Sequence, residues 1–133
     1  MEYADKYRQT KEIVNEIVLR KLDSLMLAER LFLDSGITMA STARAVGTNR
    51  TYFSRAVCSR HRNFKEYVNN LRVDSLLEDI SSHIYCGFME DIDDFAARYG
   101  FKSRRSMDRA LQRRTGMTYN MLVKRKSKEE SSL

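Results

Sequence analysis

The sequence predicts an all-α fold: two helix-turn-helix lobes joined by a long linker helix, about seven helices, plus an N-terminal helical extension. Three observations predict it. The 133 residues include no proline and only five glycines, too few turn-formers for a chain of β-hairpins. Apolar residues recur at helical spacing rather than in alternation. One pattern of small residue, glycine, capped helix and apolar pair occurs twice, each time inside a strongly basic block.

The elements follow in order. Ile13, Val14, Ile17, Val18, Leu22, Leu25, Leu31 and Phe32 form a helical stripe over residues 10–33, as one helix or two, behind a polar segment 1–9 expected to fray. "DSGIT" turns the chain, and Thr38 caps a short helix ending near Val46. "GTN" breaks that helix, and Asn49 caps the next, which runs to about Arg60. Asn63 and Glu66 stand at capping-box spacing before a long helix striped by Phe64, Tyr67, Val68, Leu71, Leu76 and Ile80. "SSHIYCGFMED" reads as a connector. Asp91, Asp93 and Asp94 suit the positive end of a helix that starts near Ile92 and stops at Gly100. Ser103 caps an arginine-rich helix ending near Gly116, Thr118 caps a last short helix, and "KRKSKEESSL" has the composition of a disordered tail. The chain thus divides into an N-terminal extension (1–21), a first lobe (22–63), a linker helix (64–81), a second lobe (82–124) and a disordered tail (125–133).

The repeat carries the functional argument. Residues 43–57, "ARAVGTNRTYFSRAV", lie over residues 96–111, "AARYGFKSRRSMDRAL". Ala43 matches Ala96 and Gly47 matches Gly100. With one residue inserted after the second glycine, Phe53 matches Met107, Arg55 matches Arg109, Ala56 matches Ala110 and Val57 matches Leu111. In a helix-turn-helix the alanine lets two helices approach, the glycine permits the turn, and the apolar pair pins the second helix to the core. The opposite face of that helix is then free to enter a major groove.

Charge points to the same partner. The net charge of +6 is unevenly spread. Residues 38–62 hold five arginines and no acid, and residues 96–126 hold ten basic side chains against one acidic. Between them, residues 63–95 hold two basic and eight acidic. Two basic blocks split by an acidic one suit a polyanion touched at two places. Within "SRRSMDRALQRR", Arg105, Arg109 and Arg113 fall one turn apart on one helix face. Such like-charge neighbours cost about 0.2–0.5 kcal/mol each in the free protein, offset when phosphates neutralise them.

"LRVDSLL", "YGFKSRRSMDRALQRRTGMT" and the tandem arrangement resemble the DNA-binding domain of the AraC/XylS family. "GTNRTYFSR" is similar, more narrowly, to AraC-type output domains of Bacteroidetes. The resemblance covers residues 22–124, and "GF–S–R…TGMT" is its most specific part. It implies seven helices and two recognition helices entering adjacent major grooves, roughly 10 bp apart, on one face of double-stranded DNA. Family positions that face bases map onto Thr51, Ser54 and Arg55 in the first lobe and Arg105, Ser106 and Arg109 in the second. Arginine can fork onto guanine, and Ser and Thr can bond several base edges. Asp108 beside them either accepts from cytosine or pairs with a neighbouring arginine. Thr48, Asn49, Arg50, Lys102, Ser103 and Arg104, at helix N-termini, suit phosphates. Arg60, Arg113 and Arg114 lie far along their helices, as backbone contacts or solvated side chains. Arg72 matches the family's linker-helix arginine and is read as structural, and Tyr52 as packed. The sequence departs from the family at five places. Arg62 stands where a glycine usually ends the first recognition helix, so that Arg62 or Asn63 would take a left-handed conformation. Leu76 replaces a small residue, the stretch between Ile80 and Ile92 is longer, Met107 replaces an aromatic, and Tyr119 replaces a proline.

Other function classes are less well served. No glycine-rich phosphate loop, nucleophile elbow or HExxH is present, so no enzyme is expected, and no cofactor. Cys58, His61, His83 and Cys86 could in principle hold zinc, but in an order unlike a known finger and with the first pair on the recognition helix. "EDIDD" reads as a dipole-complementing helix start rather than a metal site. Two cysteines make no disulfide framework, no apolar run approaches the length needed to cross a bilayer, and no signal-peptide core occurs. The expectation is a bacterial, cytoplasmic transcription factor with no membrane contact. RNA polymerase and an upstream sensor domain or protein are its expected further partners, since no sensor is read in these residues. The alternatives are a sequence-independent architectural DNA binder and a protein-interaction module.

Overall fold

The computed structural model describes residues 2–86 and 91–131. Their order is α1 (Glu2–Glu29), a 3-10 turn (Leu31–Leu33), α2 (Met39–Val46), α3 (Arg50–Arg60), α4 (Phe64–Cys86), α5 (Ile92–Arg98), α6 (Arg104–Thr115) and α7 (Tyr119–Ser131). The fold is all-α. Among the described residues no helix is long and apolar enough to cross a membrane. The chain forms two compact units: Met1–Leu31 with Gly36–Val68, and Phe32–Ser35 with Asn69–Leu133.

In the first unit, α1 contributes Val18, Leu19, Leu22 and Met26 to the core, against Ala43 and Val46 of α2 and Phe53, Ala56 and Val57 of α3. The start of α4 closes it: the Phe64 ring meets Phe53 edge-on at 5.5 Å. The Tyr67 hydroxyl donates to Asp23 at 2.8 Å. Burial, with the Asp23 carboxylate beside it, pushes that hydroxyl far above the ordinary tyrosine range. Local chemistry sets the helix ends. Thr38 and Ser41 form a reciprocal capping box on α2. Gly47 ends it in the left-handed region at φ 89°, its N–H donating to the Ala43 and Arg44 carbonyls. Asn49 caps α3 by accepting from the Tyr52 amide at 2.9 Å.

In the second unit, Val73, Leu76 and Ile80 of α4 pack on Phe95, Ala96 and Tyr99, with Phe101 and the α6 residues Met107, Ala110 and Leu111. Arg72 is buried here as expected of a structural residue. Its Nε donates to the Phe32 carbonyl at 2.6 Å and its Nη2 to the Asp34 carbonyl at 2.9 Å. Burial lowers its pKa, opposed by the Asp34 charge. Gly100 makes this clamp possible. It has φ 86°, and a Cβ there would lie 2.5 Å from the Phe32 carbonyl oxygen and 2.7 Å from the Arg72 Nε.

Several expectations need correction. α1 starts at Glu2 rather than near residue 10, so the polar segment expected to fray is helical. α4 runs to Cys86, taking Ser81–Cys86 from the expected connector, while residues 87–90 lie outside the described ones. α7 continues to Ser131 through most of the expected disordered tail, with Arg125 and Lys126 facing Glu129 at 3.5 and 3.9 Å. Those pairs one helical turn apart support a helix that composition alone does not suggest. Neither Arg62 nor Asn63 is left-handed. α3 ends in an extended His61 (φ −126°), and among the described non-glycine residues only Arg30 has positive φ. Asn63 instead accepts from the Glu66 amide at 2.8 Å, opening α4.

Candidate nucleic-acid interface

Each unit builds a helix-turn-helix, and the repeat has the same structural meaning in both. Ala43 and Ala96 are buried, Gly47 and Gly100 are left-handed, and Phe53/Val57 and Met107/Leu111 are fully buried. Three sides of each second helix are thereby settled: one face in the core, a capped N-terminus, and one face in solvent.

On α3 the solvent face carries Arg50, Thr51, Tyr52 and Arg55, with Ser54 half-buried at its edge. Thr48 is half-buried in the turn. Asn49 already spends its carbonyl oxygen on the cap. Tyr52 is not packed: it is 47% exposed. The buried positions 53, 56 and 57 leave residue 52 on the flank of the core face, open to solvent. The repeat held this signal, since it aligns Tyr52 with Ser106, itself a candidate base contact.

On α6 the solvent face carries Arg105, Ser106, Arg109 and Arg113, with Lys102 exposed in the preceding turn. Ser103 accepts from the Ser106 amide at 3.1 Å, and the two hydroxyls also lie 3.1 Å apart. Arg104 differs from its neighbours. Its Nη2 donates to Asn120 at 3.1 Å, and its Nε lies 3.8 Å from Asp108. Its backbone amide donates to Asp93 at 3.3 Å. Asp108 therefore pairs with a neighbouring arginine, one of the two readings of its sequence, and does more. Its other oxygen accepts from the Tyr119 amide at 2.9 Å, the first helical residue of α7. A proline at position 119 would lack that amide.

Ion pairing sorts the arginines. Arg60, in the last turn of α3, is paired with Glu16 of α1. Arg114, in the last turn of α6, forks onto Asp74 of α4 at 3.1 and 3.0 Å. Neither is merely solvated: each is held by a carboxylate, and both stay partly exposed. Partners 44 and 40 residues away leave no local trace in the sequence. By contrast, Arg50, Arg55, Lys102, Arg105, Arg109 and Arg113 form no ion pair among the described residues. Acid neutralises Arg60, Arg104 and Arg114 and leaves the solvent faces of both helices cationic.

Among the described residues no group of three or more His, Cys, Asp or Glu could hold a metal ion. His83 is buried, stacked on Phe95 at 3.7 Å and bonded through Nε2 to the Tyr119 hydroxyl at 2.6 Å. The Cys86 side chain lies outside the described ones. Of the "EDIDD" run, Asp91 caps α5 through the Asp93 amide at 2.7 Å.

No protein-family model matches the chain. No curated protein matches it either. Among solved structures, the chain is similar to the C-terminal domain of AraT, a response regulator from Geobacillus stearothermophilus. The TM-score is 0.60 at 21% sequence identity, over 78% of this chain and 80% of that one. At that identity the likeness is one of fold, and it extends over most of both chains.

Proposed function

We propose that this protein is a sequence-specific double-stranded DNA-binding transcriptional regulator with an AraC-type output domain. The observation that carries the reading is the pair of helix-turn-helix units whose second helices keep an un-neutralised Arg/Ser/Thr face in solvent. The shared fold with a response-regulator C-terminal domain supports it. Thr51, Ser54 and Arg55 read bases from the first unit and Arg105, Ser106 and Arg109 from the second, giving a two-part site. Thr48, Asn49, Arg50, Lys102, Ser103, Arg104 and Arg113 hold phosphates. Tyr52, exposed beside Thr51 and Arg55, joins the base-facing set. The role is one of binding rather than catalysis. It calls for RNA polymerase and an upstream sensor as further partners, in the bacterial cytoplasm where the DNA lies.

Selection from a random duplex library, then anisotropy titrations of enriched and scrambled duplexes at several salt concentrations, tests this. A regulator binds a two-part motif about 10³-fold or more above scrambled DNA. Equal, steeply salt-dependent binding to both would make it an architectural binder, and no binding at any salt a protein-interaction module.

A further inference from the structure

α7 carries a cationic face that the recognition helices do not account for. Its basic residues are Lys124, Arg125, Lys126 and Lys128. Tyr119 and Leu122 pack on the core cluster of the second unit, and Val123 and Lys126 are half-buried on the same side. At 100° per residue, Lys124 and Lys128 fall roughly 150° or more around the helix from that side. Both are exposed.

The acid of this helix serves its other flank. Glu129 lies 3.5 Å from Arg125 and 3.9 Å from Lys126. Lys124 forms no ion pair among the described residues. Lys124 and Lys128 stand one turn apart, and like charges at that spacing destabilise a free helix. The arginine face of α6 has the same self-repelling character.

The start of α7 shows where the face leads. The Tyr119 amide meets Asp108 in the middle of α6. The next residue, Asn120, accepts from Arg104 at 3.1 Å, one turn nearer the α6 N-terminus. α7 thus advances toward the end of α6 that carries Lys102, Ser103 and Arg104. Lys124 follows Asn120 by one turn on the same face, and Lys128 follows Lys124 by another. Arg104 is balanced by Asp108 at 3.8 Å, whereas Lys124, a turn further on, is not.

We propose that α7 is a third DNA-contacting element, in which Lys124 and Lys128 hold backbone phosphates next to those held by the N-terminus of α6. The inference rests on the regulator reading above and adds to it a contact outside both recognition helices. Charge complementarity and continuity with the α6 face select the phosphate backbone as the occupant. Lysine is a point charge without the planar fork of arginine, so it neutralises phosphates without reading bases. α7 therefore lengthens the footprint and raises affinity for every duplex, and leaves base preference alone.

Hydroxyl-radical footprints and salt titrations of the full chain and of Lys124→Gln/Lys128→Gln, on the same enriched duplex, test this. Glutamine is a good helix former and both side chains are exposed, so the melting temperature should not change. The parent should protect a short backbone patch flanking one part of the motif, and the variant should lose that patch. Its slope of log affinity against log salt should fall by about 2, and repeated selection should return the same motif. Equal footprints and equal slopes would overturn the proposal while leaving the regulator reading intact, and would give the face to an acidic protein partner. A variant with a changed motif would also overturn it, making α7 a support for α6. A parent chain that binds no duplex would overturn the regulator reading and this proposal with it.

Discussion

Asp108 joins α6 to the helix that follows it: one carboxylate oxygen accepts from the Tyr119 amide at 2.9 Å while the other faces the Arg104 Nε at 3.8 Å. A residue flanked in sequence by base-reading candidates is thus a helix cap and an arginine anchor.

Asp108→Ala should cost about 1 kcal/mol of stability, the loss typical of a missing helix cap. Asp108→Asn keeps an acceptor for the Tyr119 amide and removes a negative charge near the phosphates, so it should bind all duplexes more tightly with base preferences unchanged. Melting curves and repeated motif selection check both. A changed preference at a cytosine position would return Asp108 to the base-reading set.

The two turn glycines should respond differently to alanine. Both are left-handed, but a Cβ at Gly47 meets nothing within 4 Å, whereas at Gly100 it would strike the Phe32 carbonyl and Arg72. Gly47→Ala should therefore cost about 1–2 kcal/mol from the backbone conformation alone. Gly100→Ala should cost clearly more, because a backbone carbonyl has to move. Denaturant titrations of the two variants read the difference. The sequence pairs these glycines as equivalents, and their conformations bear that out. It does not show the Arg72 clamp, whose partners lie 40 and 38 residues away.

Legibility follows that division. The caps at Thr38, Asn49 and Ser103, the glycines and the buried faces of α3 and α6 depend on residues within a turn of one another, and all could be read. The Arg60–Glu16 and Arg114–Asp74 pairs, Asp108 at the start of α7, and the His83–Tyr119 bond depend on distant segments meeting. The length of α1 is not legible because its first half is helical without a buried face. The length of α7 is not legible because charge at its end resembles the composition of a tail, while spacing one turn apart lets opposite charges pair.

Stability should fall as pH rises past the ordinary tyrosine range. Tyr67 holds its proton in the folded state above the pH, about 10, at which the unfolded chain releases it. The folded state then binds more protons, so stability present below that pH is lost above it. Tyr67→Phe should flatten the alkaline limb of a stability–pH curve, and an unchanged slope would contradict the burial argument.

Neighbouring arginines on α6 should separate by salt dependence. Arg113→Ala should lower the slope of log affinity against log salt by about 1 for any duplex. Arg114→Ala should change it less, because Asp74 already neutralises Arg114. Equal effects would show that the Asp74 pair opens on DNA.

The central claim is that the solvent face of α6 reads bases. Its most direct test is to repeat the duplex selection with Arg109→Ala beside the parent chain. The account predicts that base preference relaxes in one part of a two-part motif while the other part is unchanged. An identical motif from both proteins would contradict it, leaving Arg109 off the DNA or on a phosphate.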